Sequence, residues 1–102
     1  LPPHAASGDV HAWHLYVIQL ADETCVSRDV FIERMFKQGI GCSVHYIPLH
    51  LQPYWRDNYQ LSPEMFPVSQ RIYERTVSLP LYSRMDEACV ARVVDTVKSA
   101  LY

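Results

Sequence analysis

The sequence predicts an α+β fold, a small and mainly antiparallel sheet of about three strands with helices packed on one face. Two observations carry that expectation. Short aromatic and β-branched runs alternate with segments of helical period, in the order strand, helix, strand, long loop, helix, short strand, helix. The chain has 102 residues, 49% apolar and 20% charged, which is enough for one compact core and too short for two independent ones.

Residues 1–12 hold two prolines, one glycine and several small residues without an apolar period, and read as a linker or lead-in. The domain itself is expected over residues 13–102. Trp13, Leu15 and Val17 alternate with His14, Tyr16, Ile18 and Leu20, the pattern of a strand buried on both faces, and the polar Ala21–Thr24 stretch ends it. Ser27 can cap a helix that starts at Arg28, with Asp29 favoured at its positive end. Phe31/Met35 and Ile32/Phe36 are i,i+4 pairs that form its apolar face, opposite Asp29, Glu33, Lys37 and Gln38. Gly39 supplies the left-handed stop, and Ile40 falls where it can touch Met35.

Cys42–Ile47 reads as a second strand closed by Pro48, which cannot donate to a ladder. Pro48–Phe66 is too rich in His, Tyr and Trp for a solvated loop and too proline-broken for a long helix, although Pro53–Asn58 can make one or two turns. Pro67 suits the first turn of another helix, ending near Thr76, with Val68, Ile72 and Thr76 on its inward stripe. Val77–Leu81, interrupted by Pro80, is at most an edge strand. Asp86 can cap the last helix, in which Val90, Val94, Val97 and Leu101 repeat on one face.

Nine Lys/Arg against eleven Asp/Glu give a net charge of −2, and the basic residues are scattered, which disfavours nucleic-acid binding. The longest apolar stretch, around Leu15–Leu20, is far too short to span a membrane, so no membrane partner is expected. Cys25, Cys42 and Cys89 are odd in number and far apart, so they are expected to pack as inert thiols in a reducing cytoplasm. The absence of an initiator Met and of a signal-like N-terminus suggests a piece of a longer cytoplasmic polypeptide.

His4, His11 and His14 lack a carboxylate or Cys that would complete a ligand set, so no metal site is expected; His4 should be mobile, His11 exposed and His14 packed on the sheet. His45 and His50 flank the turn at Pro48 and, with Tyr46, Tyr54 and Trp55, would offer a polar, ring-stacking surface suited to a sugar or a base. The same histidines would equally serve as hydrogen-bonded core residues beneath a covering loop. No nucleophile elbow or phosphate-binding glycine loop is present, and Lys37 and Lys98 sit on polar helix faces, unsuited to a Schiff-base role.

Three segments carry a resemblance: His11–Ile18 (HAWHLYVI), Gly39–His50 (GIGCSVHYIPLH) and Ser78–Tyr82 (SLPLY). They resemble the C-terminal small domain of the DegT/DnrJ/EryC1/StrS family of sugar aminotransferases, in order and over His11–Leu101. The resemblance implies the small-domain fold of fold-type I pyridoxal-phosphate enzymes, and a parent that moves an amino group, usually from glutamate, to a nucleotide-linked keto sugar. It also implies a large domain in the same chain that holds the cofactor and its Schiff-base lysine and builds a homodimer. No segment here matches that domain, so no catalytic residue is carried over and the 102 residues alone are expected to be inactive. On the same resemblance His45, Tyr46, His50 and Tyr54 are substrate-binding candidates. The competing expectation is a stand-alone, non-catalytic binding or regulatory module of the same fold.

Overall fold

The computed structural model describes all 102 residues. Regular structure begins at β1 (Tyr16–Gln19), followed by α1 (Arg28–Lys37), a 3₁₀ turn at Leu49–Leu51, α2 (Pro53–Tyr59), a second 3₁₀ turn at Pro63–Met65, α3 (Pro67–Arg75), β2 (Thr76–Leu79) and α4 (Glu87–Ala100). The α+β class holds, with a two-stranded antiparallel sheet in which Tyr16 faces Leu79 and Gln19 faces Thr76. Its first strand is shorter than the alternating run. Trp13 takes a left-handed φ of 47° and stacks between His11 and Tyr16, so the chain turns before it can pair.

The expected strand over Cys42–Ile47 is reduced to one bridge, in which Ser43 and Ser78 exchange backbone hydrogen bonds of 3.1 and 2.8 Å. Bonded pairs in an antiparallel ladder recur every second residue, so lengthening this one calls on Pro80 or Thr76. Pro80 has no N–H, and Thr76 is the residue that ends α3. Three strands therefore become two and a bridge. For the same reason β2 is no edge strand: it lies between β1 and Ser43, and Thr76, Val77 and Ser78 are all buried.

The helix boundaries follow their local signals. Ser27 Oγ accepts from Val30 N–H at 3.4 Å, and Gly39, at φ 73°, closes α1 with Ile40 N–H donating to Met35 O and Gly39 N–H to Phe36 O. Asp86 Oδ1 accepts from Cys89 N–H at 2.8 Å and starts α4. Two arginines fasten these helices end to side: Arg92 donates to Gln38 O past the end of α1, and Arg34 to Ala100 O at the end of α4.

Phe31 and Met35 of α1, Val77 of β2 and Val93 and Ala100 of α4 form the core with Leu20 and Ile40. The alternation of a strand sends Val77 and Leu79 toward this core and Thr76 and Ser78 to the opposite face. Three expected faces differ. Phe36 of α1, Val68 and Ile72 of α3, and Val90 and Val94 of α4 are exposed, and α4 turns Val93 and Ala100 inward in their place. His14 is exposed rather than packed on the sheet, while His11 is half-buried against Trp13; Cys25 is exposed and Cys42 and Cys89 half-buried. No helix is long and apolar enough to cross a membrane.

Candidate functional site

On the face of β2 opposite the core, the segment after the Ser43 bridge runs alongside α3 and leaves a groove of ≈ 560 Å³. Val44, Pro48, Phe66, Val68 and Ile72 make it apolar, and the polar side chains that line it include His45, Tyr46 and Ser69. That mixture, an apolar trough with a few convergent hydrogen-bonding groups, is the usual make-up of a small-molecule site.

Each predicted residue has a definite place. His45 lines the groove, with Nδ1 2.8 Å from Ser78 Oγ and its ring edge-on to Tyr46. Its Nε2 has no protein partner and is not sealed from solvent. Tyr46 also lines the groove and is 76% exposed, so its hydroxyl is available to a ligand. His50 lies elsewhere: it is 4% exposed, stacks on Phe66 at 5.0 Å and places Nε2 2.9 Å from Gln70 Oε1. Tyr54, 67% exposed on α2, is likewise outside the groove and stands edge-on to Trp55, which stacks on Tyr59.

The bonds around His50 fix its role in the fold. Gln70 Nε2 donates to the Glu74 carboxylate at 2.7 Å, and a carboxylate only accepts, so the amide oxygen of Gln70 faces His50. The imidazole must then donate from Nε2. The 3₁₀ turn is thereby tied to α3, which fixes the wall opposite Val68 and Ile72. A second tie holds α3 from the other end. Arg28 donates to Tyr73 O at 2.7 Å and lies over the Tyr73 ring at 4.6 Å. Burial opposes the charge of Arg28, but its bonds to Asp29 and Tyr73 outweigh that and hold the guanidinium above its ordinary value. Arg71 and Arg75 both pair with Asp22, and Arg75 also donates to Leu20 O.

Sequence reasoning brought His45 and Tyr46 to one place and missed the α3 side of it. The signal was the Val68/Ile72 stripe, read as inward-facing core. A pyridoxal-phosphate site needs a lysine amine beside the ring and a cup for the phosphate. The two lysines lie on exposed helix faces, Lys37 paired with Glu33 at 2.7 Å and Lys98 4.0 Å from Asp95, and neither borders the groove. The residues of this chain therefore do not fit as the holder of that cofactor. Nor do any three His, Cys, Asp or Glu side chains cluster as a metal set would.

The profile of the DegT/DnrJ/EryC1/StrS aminotransferase family matches residues 1–98. The chain is 45% identical over 89 residues to the uncharacterised protein MJ1066 of Methanocaldococcus jannaschii, covering 86% of this chain and 23% of that protein. It is 39% identical over 90 residues to the spore coat polysaccharide biosynthesis protein SpsC of Bacillus subtilis, with the same two coverages. Among solved structures it resembles the PMP form of Spr1654 from Streptococcus pneumoniae, provisionally assigned as a sugar aminotransferase. The TM-score is 0.77 at 26% identity, over 86% of this chain and 22% of that one. The chain thus spans just under a quarter of the length of the relatives it matches.

Proposed function

Because the chain belongs to the DegT/DnrJ/EryC1/StrS aminotransferase family, we propose that it is the C-terminal small domain of a pyridoxal-phosphate-dependent enzyme that aminates a nucleotide-linked keto sugar. Its part is to form one wall of the substrate cleft. The observation that carries this reading is the groove between α3 and residues 44–48, where His45 and Tyr46 stand beside an apolar trough. An imidazole and a phenol can hydrogen-bond sugar hydroxyls or diphosphate oxygens, and their rings can pack on the faces of a sugar or base. His50 supports the wall from beneath through Gln70, and Tyr54 reaches the ligand only if the ligand extends past the groove toward α2.

Amino transfer requires an electron sink that the side chains of proteins lack, and pyridoxal phosphate supplies it. In this reading the cofactor and its lysine belong to a large domain of the same chain, as does the surface that makes a homodimer, with glutamate as amino donor. This domain binds and orients the sugar end. A titration of UDP-glucose into the isotope-labelled chain tests the proposal: signals of His45, Tyr46, Val68 and Ile72 should move together. Perturbations confined to α4 or to the first 12 residues would contradict it.

A further inference from the structure

We propose that Ser78 is a positioning residue for His45, holding the ring so that it presents an N–H donor to the groove and meets an acceptor oxygen of the ligand. This rests on reading the groove as a sugar-nucleotide wall. Ser78 is 4% exposed in the middle of the sheet, and both its backbone groups are taken by Ser43. The hydroxyl thus hangs from a fixed backbone on the face away from the core. Its only side-chain partner is His45 Nδ1, at 2.8 Å.

That single contact decides the direction of the bond. A buried hydroxyl has one proton to place, and a buried donor left without an acceptor is costly. If Nδ1 carried the proton, the serine would accept it and its own hydrogen would have no acceptor. Donation from Ser78 Oγ to Nδ1 satisfies both groups, and the neutral ring then carries its proton on Nε2. Nε2 is the nitrogen without a protein partner, on a residue that lines the groove. What faces the ligand is therefore an N–H donor, suited to an oxygen of a diphosphate or of a sugar, and poorly suited to another donor.

Full-length protein with ¹⁵N-labelled histidine, its His45 signals assigned by His45→Gln, reads the tautomer directly. The expected result is a pyridine-like Nδ1 and a pyrrole-like Nε2. Ser78→Ala should move the Nδ1 signal, and Ser78→Thr, which keeps the hydroxyl, should leave it in place. A pyrrole-like Nδ1 in the unmodified protein, or signals indifferent to Ser78→Ala, overturns the proposal. Calorimetric titration with UDP-glucose gives the second readout. Ser78→Ala and His45→Ala should each weaken binding roughly five- to tenfold, with the double variant no weaker than His45→Ala. Penalties that multiply would mean that Ser78 acts by another route, and would sink the idea. A His45→Ala penalty seen with UDP alone assigns the oxygen to the diphosphate; one seen only with UDP-glucose assigns it to the sugar. Should His45→Ala leave both ligands unaffected while the nitrogen signals behave as expected, the substrate-wall reading fails and the hold of Ser78 on the ring stands.

Discussion

His50 and His45 show how the same side chain does different work according to what surrounds it. His50 is enclosed between Phe66 and Gln70, so its loss opens a cavity and releases the turn from α3. His50→Ala should cost about 2 kcal/mol of stability, read as a lower denaturant midpoint, because it combines a lost buried ring with a lost hydrogen bond. Residue types alone left both histidines open to a binding or a bracing role. Separating them takes partners distant in sequence, Ser78 for one and Gln70 for the other. The cysteines separate likewise: burial pushes the Cys42 thiol up, away from the thiolate form, whereas Cys25 is exposed. At pH 8 a thiol reagent should label Cys25 well before Cys42, and equal rates by mass spectrometry would contradict the packing around Cys42.

Elements whose signals are local were legible, and those that depend on pairing were not. Ser27, Gly39, Pro67 and Asp86 mark helix ends within a few residues of themselves, and α1, α3 and α4 begin where they indicate. Gly39→Ala should cost about 1 kcal/mol, since a side chain is strained at φ 73° and the new Cβ would meet the Arg92 guanidinium at 3.0 Å. The Asp86 cap gives a pH-dependent case. Bonds from the backbone N–H and side chain of Cys89 hold the Asp86 carboxyl below its ordinary value, so the folded state favours the ionised form. Its contribution is fully present above the ordinary carboxylate range and fades as pH falls through the depressed value. The gap in melting temperature between the unaltered chain and Asp86→Ala should therefore be open at pH 7 and narrow near pH 3. Strand content was harder to read, because the fate of Cys42–Ile47 is decided across the sheet by Pro80 and Thr76. Helical period correctly marks an apolar face on α3 but says nothing of what covers it: Val68 is 71% exposed here.

At the scale of the whole molecule, the role proposed for this chain is that of a substrate wall, with the cofactor held by a large domain outside these 102 residues. Lys37 and Lys98 lie on the outward sides of their helices, so a Lys37→Ala/Lys98→Ala double variant of the full-length enzyme should keep its turnover and its cofactor. Loss of the bound cofactor in that variant would place the essential amine in this domain. The most direct measurement is the steady-state kinetics of the full-length enzyme carrying His45→Ala and Tyr46→Ala, with sugar nucleotide and amino donor varied separately. A wall that grips the sugar end predicts a KM for the sugar nucleotide raised about tenfold or more, the loss of one or two hydrogen bonds, with the KM for glutamate nearly unchanged. Equal effects on both substrates, or none on either, would contradict it.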